Sequence, residues 1–178
     1  MENKPARISK DEYYIKIAEN IFERSTCLRR RFGAVIVNND EIVATGYNGA
    51  PRKVKSSLEH EFCWRKSHNI PHGKNYELCR SVHAEQNAMI QAARRDMIGS
   101  TMYIVGENAD GSYVEAFPCV ICLRMIINAG IERLVYRKED GSFGEAFPQE
   151  DWKDDNFIVV GHYGAVPEAI KNVINQQQ

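Results

Sequence analysis

The sequence predicts an α/β fold in three layers, α-β-α, with helices covering both faces of a mixed five-stranded sheet. Three observations carry that expectation. Short apolar runs rich in β-branched residues alternate along the chain with longer segments whose apolar residues recur at helical spacing. The first two runs are joined by turn residues, Asn38-Asn39-Asp40, as in a hairpin. Later runs are separated from one another by helical segments. The 178 residues are enough for one core and are read as a single domain, 1–178, with its motifs within 10–138 and a C-terminal strand and helix in 139–178.

The elements follow in order. Ser9-Lys10-Asp11-Glu12 fits a capping box, with Ser9 as N-cap and Glu12 reaching back. Tyr14, Ile17, Ala18, Ile21 and Phe22 then recur at helical spacing, so a first helix is expected over 10–28. Strands are expected over 33–37 and 42–47. Residues 49–82 show no sustained period. They hold Pro51, Pro71, Gly73, two cysteines and the histidines His60, His68 and His72. So long an irregular stretch inside a compact domain points to function or to a ligand that ties it down. A helix is expected over 83–95, a strand over 101–105 and a loop over 106–117. Pro118 opens a helix that runs through Asn128 and stops at Gly130. A strand over 134–136, a polar loop or short helix over 139–156, a strand over 157–160 and a helix from Pro167 complete the chain. Tyr13, Tyr14, Met89 and Met125 are read as core.

Composition limits the function. Hydrophobic residues make up 43% and charged residues 26% of the chain, ordinary for a soluble protein. A formal net charge of −1 argues against a general nucleic-acid binder, which is normally basic. No apolar run is long enough to span a membrane, and the N-terminal residues lack the apolar core of a signal peptide. A cytoplasmic setting is expected. Five cysteines, an odd number in a reducing compartment, read as metal ligands or buried thiols rather than bridges.

Two short segments carry chemistry: His83-Ala84-Glu85 and Pro118-Cys119-Val120-Ile121-Cys122. Each stands at an expected helix start. Cys119 and Cys122 can share one metal, and His83 adds a third ligand from the other helix. Three protein ligands on a tetrahedral zinc leave one corner for water, the arrangement of a catalytic site. Helix starts carry partial positive charge and favour the thiolates that zinc needs. Glu85, two residues from His83, can project beside the water and move protons without binding the metal. The pattern H-x-E…P-C-x-x-C is the signature of zinc nucleobase deaminases. A purely structural zinc site would need a fourth protein ligand and would leave Glu85 without a role.

Further segments extend the match: Cys27, then 33–37 (GAVIV), 46–51 (GYNGAP), 82–88 (VHAEQNA), and 127–131 (INAGI). Over residues 10–138 the chain resembles the cytidine and deoxycytidylate deaminase superfamily, most closely its zinc-dependent deoxycytidylate (dCMP) branch, in which the Gly46-Tyr47-Asn48-Gly49 turn is typical. Nucleoside-specific cytidine deaminases usually carry Cys where His83 stands. The resemblance implies the deaminase fold and hydrolysis of dCMP to dUMP and ammonia. It implies that Asn48 bonds the deoxyribose and that the Ala84 N–H meets the pyrimidine O2. Asn48 is also open to reading as a turn residue beside Gly49. Some members have a second, structural zinc. Here Cys27, Cys63, Cys79 and nearby histidines could hold it, or the three could be buried thiols. The 5′-phosphate calls for arginine, from the cluster Arg24, Arg29, Arg30 and Arg31, with Arg29 and Arg31 foremost, or from the patch Arg52, Lys53 and Lys55. The resemblance also implies a homo-oligomer, activated by dCTP and inhibited by dTTP. The segment 106–117 is longer than the family's brief turn, and 139–178 carries no assignable pattern. Alternatives are deamination of cytidine, guanine, a riboflavin precursor or transfer-RNA adenosine, and a non-catalytic zinc nucleotide sensor.

Overall fold

The computed structural model describes residues 7–71 and 75–151; His72, the strand expected over 157–160 and the terminal helix lie outside the described residues. In order the elements are α1 (Lys10–Phe22), β1 (Arg30–Asn38), β2 (Glu41–Tyr47), α2 (Ser57–His60), α3 (Trp64–Ser67), a 3-10 turn (Tyr76–Leu78), α4 (Ala84–Gln91), α5 (Arg94–Met97), β3 (Thr101–Asn108), α6 (Val120–Ala129), β4 (Arg133–Arg137), β5 (Phe143–Ala146) and α7 (Pro148–Asp151). The sheet has five strands in the order β2-β1-β3-β4-β5. Only β3 and β4 run parallel, joined by the crossover through α6; the other pairs are antiparallel.

Side-chain alternation sorts the core into two layers. Val35, Val37, Tyr103, Val105 and Val135 point to one face and pack on Tyr14, Ile15, Ala18 and Phe22 of α1. Ala34, Ile36, Met102, Ile104 and Leu134 point to the other and pack on Ala84 and Ala88 of α4 and on Leu123 and Ile126 of α6. Each fully buried aliphatic side chain contributes about 1.5–3 kcal/mol. A slip of one residue in β1 would exchange the two faces, so the register is strongly specified. The β1–β2 turn has Asn39 and Asp40 at φ 48° and 68°, the left-handed pair that a two-residue hairpin requires and that Asn and Asp tolerate.

Several elements differ from expectation. Helix α1 stops at Phe22 rather than 28, because Ser25 is drawn away to bond the buried Asn48 side chain. Only half of the capping box forms: Ser9 accepts from the Glu12 N–H, while the Glu12 carboxylate pairs with Lys16. The 83–95 helix divides into α4 and α5, with Ala92 extended and packed against the core instead of adding a helical turn. Pro118 stands before the N-cap Cys119, so α6 begins at Val120. The 106–117 loop is shorter than read: β3 runs to Asn108, and Glu107 pairs with Tyr113 across a turn that Asp110 caps through Ser112. The fifth strand is β5, inside the segment read as loop or short helix. Asp140-Gly141, with Gly141 at φ 82°, is its hairpin signal. Tyr13 and Met125, read as core, are exposed, whereas Tyr14 and Met89 are buried.

Helix α1 is pinned to the sheet by a polar clamp. Asp11 accepts two N–H bonds from Arg133 at 2.9 and 2.8 Å and the Tyr103 hydroxyl at 2.8 Å. The Arg133 bonds, with help from Tyr103 and against burial, hold the Asp11 carboxyl below its ordinary value. Its stabilisation is therefore complete above the unfolded carboxyl's pKa, near 3.9, and is lost as pH falls through the lower folded value. Asp11→Asn should cost about 1–2 kcal/mol at pH 7, allowing for partial exposure. Urea unfolding at pH 7 and pH 3 checks this: the gap between variant and wild type should narrow at pH 3. An equal gap at both would mean that the charge is not its source.

Candidate active site

Two helix starts are brought together by close packing on one face of the sheet. A Cβ added to Gly46 of β2 would lie 2.2 Å from the Ala84 carbonyl oxygen and 2.4 Å from the Ala88 nitrogen. Only glycine lets α4 sit so low on β2. The helix is then stitched down by Asn87, which donates to the Tyr47 carbonyl at 2.7 Å, and by Gln91, which donates to that of Thr45 at 2.9 Å. The long loop is closed at its base by a reciprocal backbone pair, Gly49 N–H to Val82 oxygen at 3.1 Å and Val82 N–H to Gly49 oxygen at 2.8 Å. That pair sets His83 at the N-cap of α4, and Gln86 reaches back to its N–H at 3.1 Å. Helix α6 begins beside it, with Cys119 as N-cap.

His83 Nδ1 lies 3.4 Å from Cys119 Sγ and 3.4 Å from Cys122 Sγ. All three donor atoms fall within 4.8 Å of one another, the one such group among the described residues. Zinc bonds of about 2.3 Å to sulfur and about 2.0 Å to nitrogen, at tetrahedral angles, place N and S about 3.5 Å apart. The three side chains fit that cation, and the described residues offer no fourth donor in the group. The Cys119 thiol is pushed down by its bond with Cys122 and by His83, against burial, and Cys122 is pushed up as the donor of the pair. Glu85, on the first turn of α4, is 6% exposed and lines the same cleft. Burial pushes its carboxyl up and the Cys119 charge adds to this, while His83 opposes it.

The cleft has a volume of about 250 Å³. Phe32, Tyr76 and Phe117 give it aromatic walls, and Asn48 and Ala84 also line it. The Asn48 amide is heavily committed: its Oδ1 accepts from Ser25 Oγ at 2.6 Å and the Phe32 N–H at 2.8 Å, and its Nδ2 donates to the Arg30 carbonyl at 2.9 Å. Both readings of Asn48 thus have a basis, since it organises the turn and keeps one N–H of its amide uncommitted at the cleft. Ala84 occupies the first position of α4, where a backbone N–H has no helical acceptor.

The remaining expected residues divide. Cys27, Cys63 and Cys79 all line the cleft, yet their sulfurs do not close into a ligand group among the described residues. His60 approaches Arg80 at 3.0 Å and His68 stacks on Trp64, both on the exposed side of the loop. Arg29 and Arg30 line the cleft. Arg31 does not: it is spent on Glu23 and Glu107, the second of them distant in sequence and beyond what periodicity can reveal. Arg24, Arg52, Lys53 and Lys55 stay exposed and outside the cleft. Sequence reasoning passed over Phe32, Arg65, Tyr76, Arg80, Glu115 and Phe117 as lining residues. The long aperiodic loop was the one signal for Arg65, Tyr76 and Arg80.

A family model described as the cytidine and deoxycytidylate deaminase zinc-binding region matches residues 8–138. The deoxycytidylate deaminase of Mycobacterium phage D29 is 38% identical over 134 residues, 72% of this chain and 94% of the phage protein. Those of Schizosaccharomyces pombe and Saccharomyces cerevisiae are each 36% identical, over 73% and 79% of this chain, but the match spans only 37% and 41% of their own lengths. In three dimensions, a cytidine deaminase from Burkholderia pseudomallei aligns with a TM-score of 0.54 at 17% identity, over 83% of this chain and 98% of that one. That likeness is one of fold: the mixed sheet and helical layers are those of the cytidine deaminases.

Metal content tests the site. Wild-type protein should hold one zinc per chain by elemental analysis, Cys119→Ala should lose it, and Cys63→Ala should keep it. Two zincs per chain, one of them lost in Cys63→Ala, would instead establish a second site at Cys27, Cys63 and Cys79.

Proposed function

The chain belongs to the cytidine and deoxycytidylate deaminase family, and we propose that its own reaction is hydrolysis of the 4-amino group of dCMP, giving dUMP and ammonia. The observation that carries this reading is a buried Glu85 in the same cleft as a His83, Cys119 and Cys122 group with an open corner. Zinc held there supplies a Lewis acid that lowers the pKa of a water to about 7. Glu85 takes a proton from the attacking water and delivers it to the ring nitrogen next to the reacting carbon. A new C–O bond forms, and the same carboxyl then carries the second proton to the amine as the C–N bond breaks. Burial suits this work, because a carboxyl pushed above its usual range holds a proton more readily than an exposed one and can pass it on. The Ala84 N–H meets the pyrimidine O2, and the uncommitted Asn48 N–H meets the sugar. Phe32 and Phe117 enclose the base and limit bulk water.

The substrate rests on two supports. The phage D29 relative, matched over 94% of its length, is a deoxycytidylate deaminase, and the Gly46-Tyr47-Asn48-Gly49 turn belongs to that branch. Among the alternatives, transfer-RNA adenosine would call for a basic face that a net charge of −1 does not supply. A binding module without turnover would have no use for Glu85. The reading extends to a homo-oligomer controlled by dCTP and dTTP, and to a reducing, cytoplasmic setting in which all five cysteines stay unbridged.

Glu85→Gln separates chemistry from binding. The variant should keep its zinc and bind dUMP while kcat for dCMP falls by about 10²–10⁴. A rate near wild type would remove Glu85 from the mechanism. Ammonia release measured in parallel from dCMP, cytidine, guanine and a transfer-RNA anticodon stem should be fastest from dCMP; release from guanine alone would overturn the substrate.

A further inference from the structure

The arginines that are not solvent-exposed fall into two groups by partner, while Arg7, Arg24, Arg52, Arg94 and Arg124 are exposed and have no carboxylate ion pair among the described residues. Outside the cleft, Arg31 pairs with Glu23 and Glu107, Arg133 with Asp11 and Glu145, and Arg137 with Glu19. Arg29, Arg30, Arg65 and Arg80 line the cleft, and none of them has a carboxylate partner among the described residues. Arg30 donates to Asn108 and Arg80 approaches His60 and the Lys55 carbonyl, all neutral groups or a histidine. The cleft holds two carboxyls of its own, Glu85 and Glu115, and neither bonds any of the four. Among the described arginines that are not exposed, the unpaired ones, Arg29, Arg30 and Arg65, thus all lie at the cleft.

Arg65 is the extreme case. It is 5% exposed. Its Nη1 donates to the Asn75 carbonyl at 2.6 Å and its Nη2 to that of Pro71 at 2.7 Å, and it sits over the Tyr76 ring at 5.0 Å. Those contacts fix the plane of the guanidinium but cancel none of its charge. A buried cation without a counter-ion is costly to hold, so an anion that enters is favoured. Two of five N–H groups are used on these carbonyls. The rest of this planar fork remain for an acceptor that takes two N–H bonds at once, and phosphate is one.

We propose that Arg65 is the buried anchor for the 5′-phosphate of the substrate, with Arg29 and Arg80 at its side, and that it makes the cleft select nucleotides over nucleosides. This assignment rests on the deaminase reading of the cleft. The loop carbonyls pre-orient the guanidinium, so little ordering cost falls on binding. Arg31, one of the two arginines foremost in the sequence, is excluded by its acid partners.

The test compares wild type, Arg65→Gln and Arg65→Lys, each first shown to hold its zinc. The ratio of kcat/KM for dCMP to that for deoxycytidine should fall about a hundredfold in Arg65→Gln and recover at least partly in Arg65→Lys. Calorimetric binding of deoxyribose 5-phosphate should weaken by a similar factor in Arg65→Gln. A ratio unchanged in Arg65→Gln, because both substrates are lost equally or neither is, would reduce Arg65 to a support of the loop and overturn the assignment. So would undiminished binding of deoxyribose 5-phosphate. Should wild type release no ammonia from dCMP yet bind deoxyribose 5-phosphate through Arg65, the deaminase reading would fall while the phosphate anchor stood.

Discussion

Everything at the active site depends on how low helix α4 lies on strand β2. The contact at Gly46 admits no side chain, and the backbone of Ala84 and Ala88 occupies the space that a Cβ would take. That approach sets the start of α4 level with the start of α6 on the same face of the sheet. His83 and the two cysteines then meet without any strained residue in the ligand set: the three have ordinary extended or helical backbone, and no positive φ occurs among them. Metal-site geometry here is a product of helix packing, and a methyl group at position 46 would move one ligand relative to the other two.

The same packing divides the electrostatics. On the α1 side of the sheet, charges are neutralised in pairs, as at Asp11 with Arg133 and Glu19 with Arg137. At the cleft they are left unmatched. Arg29, Arg30, Arg65 and Arg80 line it without carboxylate partners among the described residues, and burial pushes the Glu85 carboxyl up. Unpaired polar groups in a folded protein are costly and so tend to mark sites of function. The long loop 49–82 supplies Arg65, Tyr76 and Arg80 to the cleft, and the backbone pair of Gly49 and Val82 at its base links the Asn48 turn directly to the helix that follows His83.

Much of this was legible in the residues. Hydrophobic period located α1, the first hairpin and the β3–α6–β4 crossover, because those elements bury one regular face each. The spacing His83-x-Glu85 with Cys119-x-x-Cys122 located the metal group, because the chemistry needs those residue types at helix starts. What sequence could not show depends on partners distant in the chain. Arg31 and Arg65 look alike as residues; only Glu107 beside one and the carbonyls of Pro71 and Asn75 beside the other separate them. Strand β5 escaped because Phe143-Gly144-Glu145-Ala146 is short and half polar, an edge strand held by pairing with β4 rather than by burial. The break between α4 and α5 falls in an alanine pair whose local propensity favours helix, so tertiary packing overrode it.

The central claim is that two sulfurs and one imidazole hold zinc with a corner open to water. X-ray absorption at the zinc edge of the loaded protein tests it most directly. The account predicts two sulfur neighbours at about 2.3 Å and two nitrogen or oxygen neighbours at about 2.0 Å. A shell of three or four sulfurs would close the corner and contradict it.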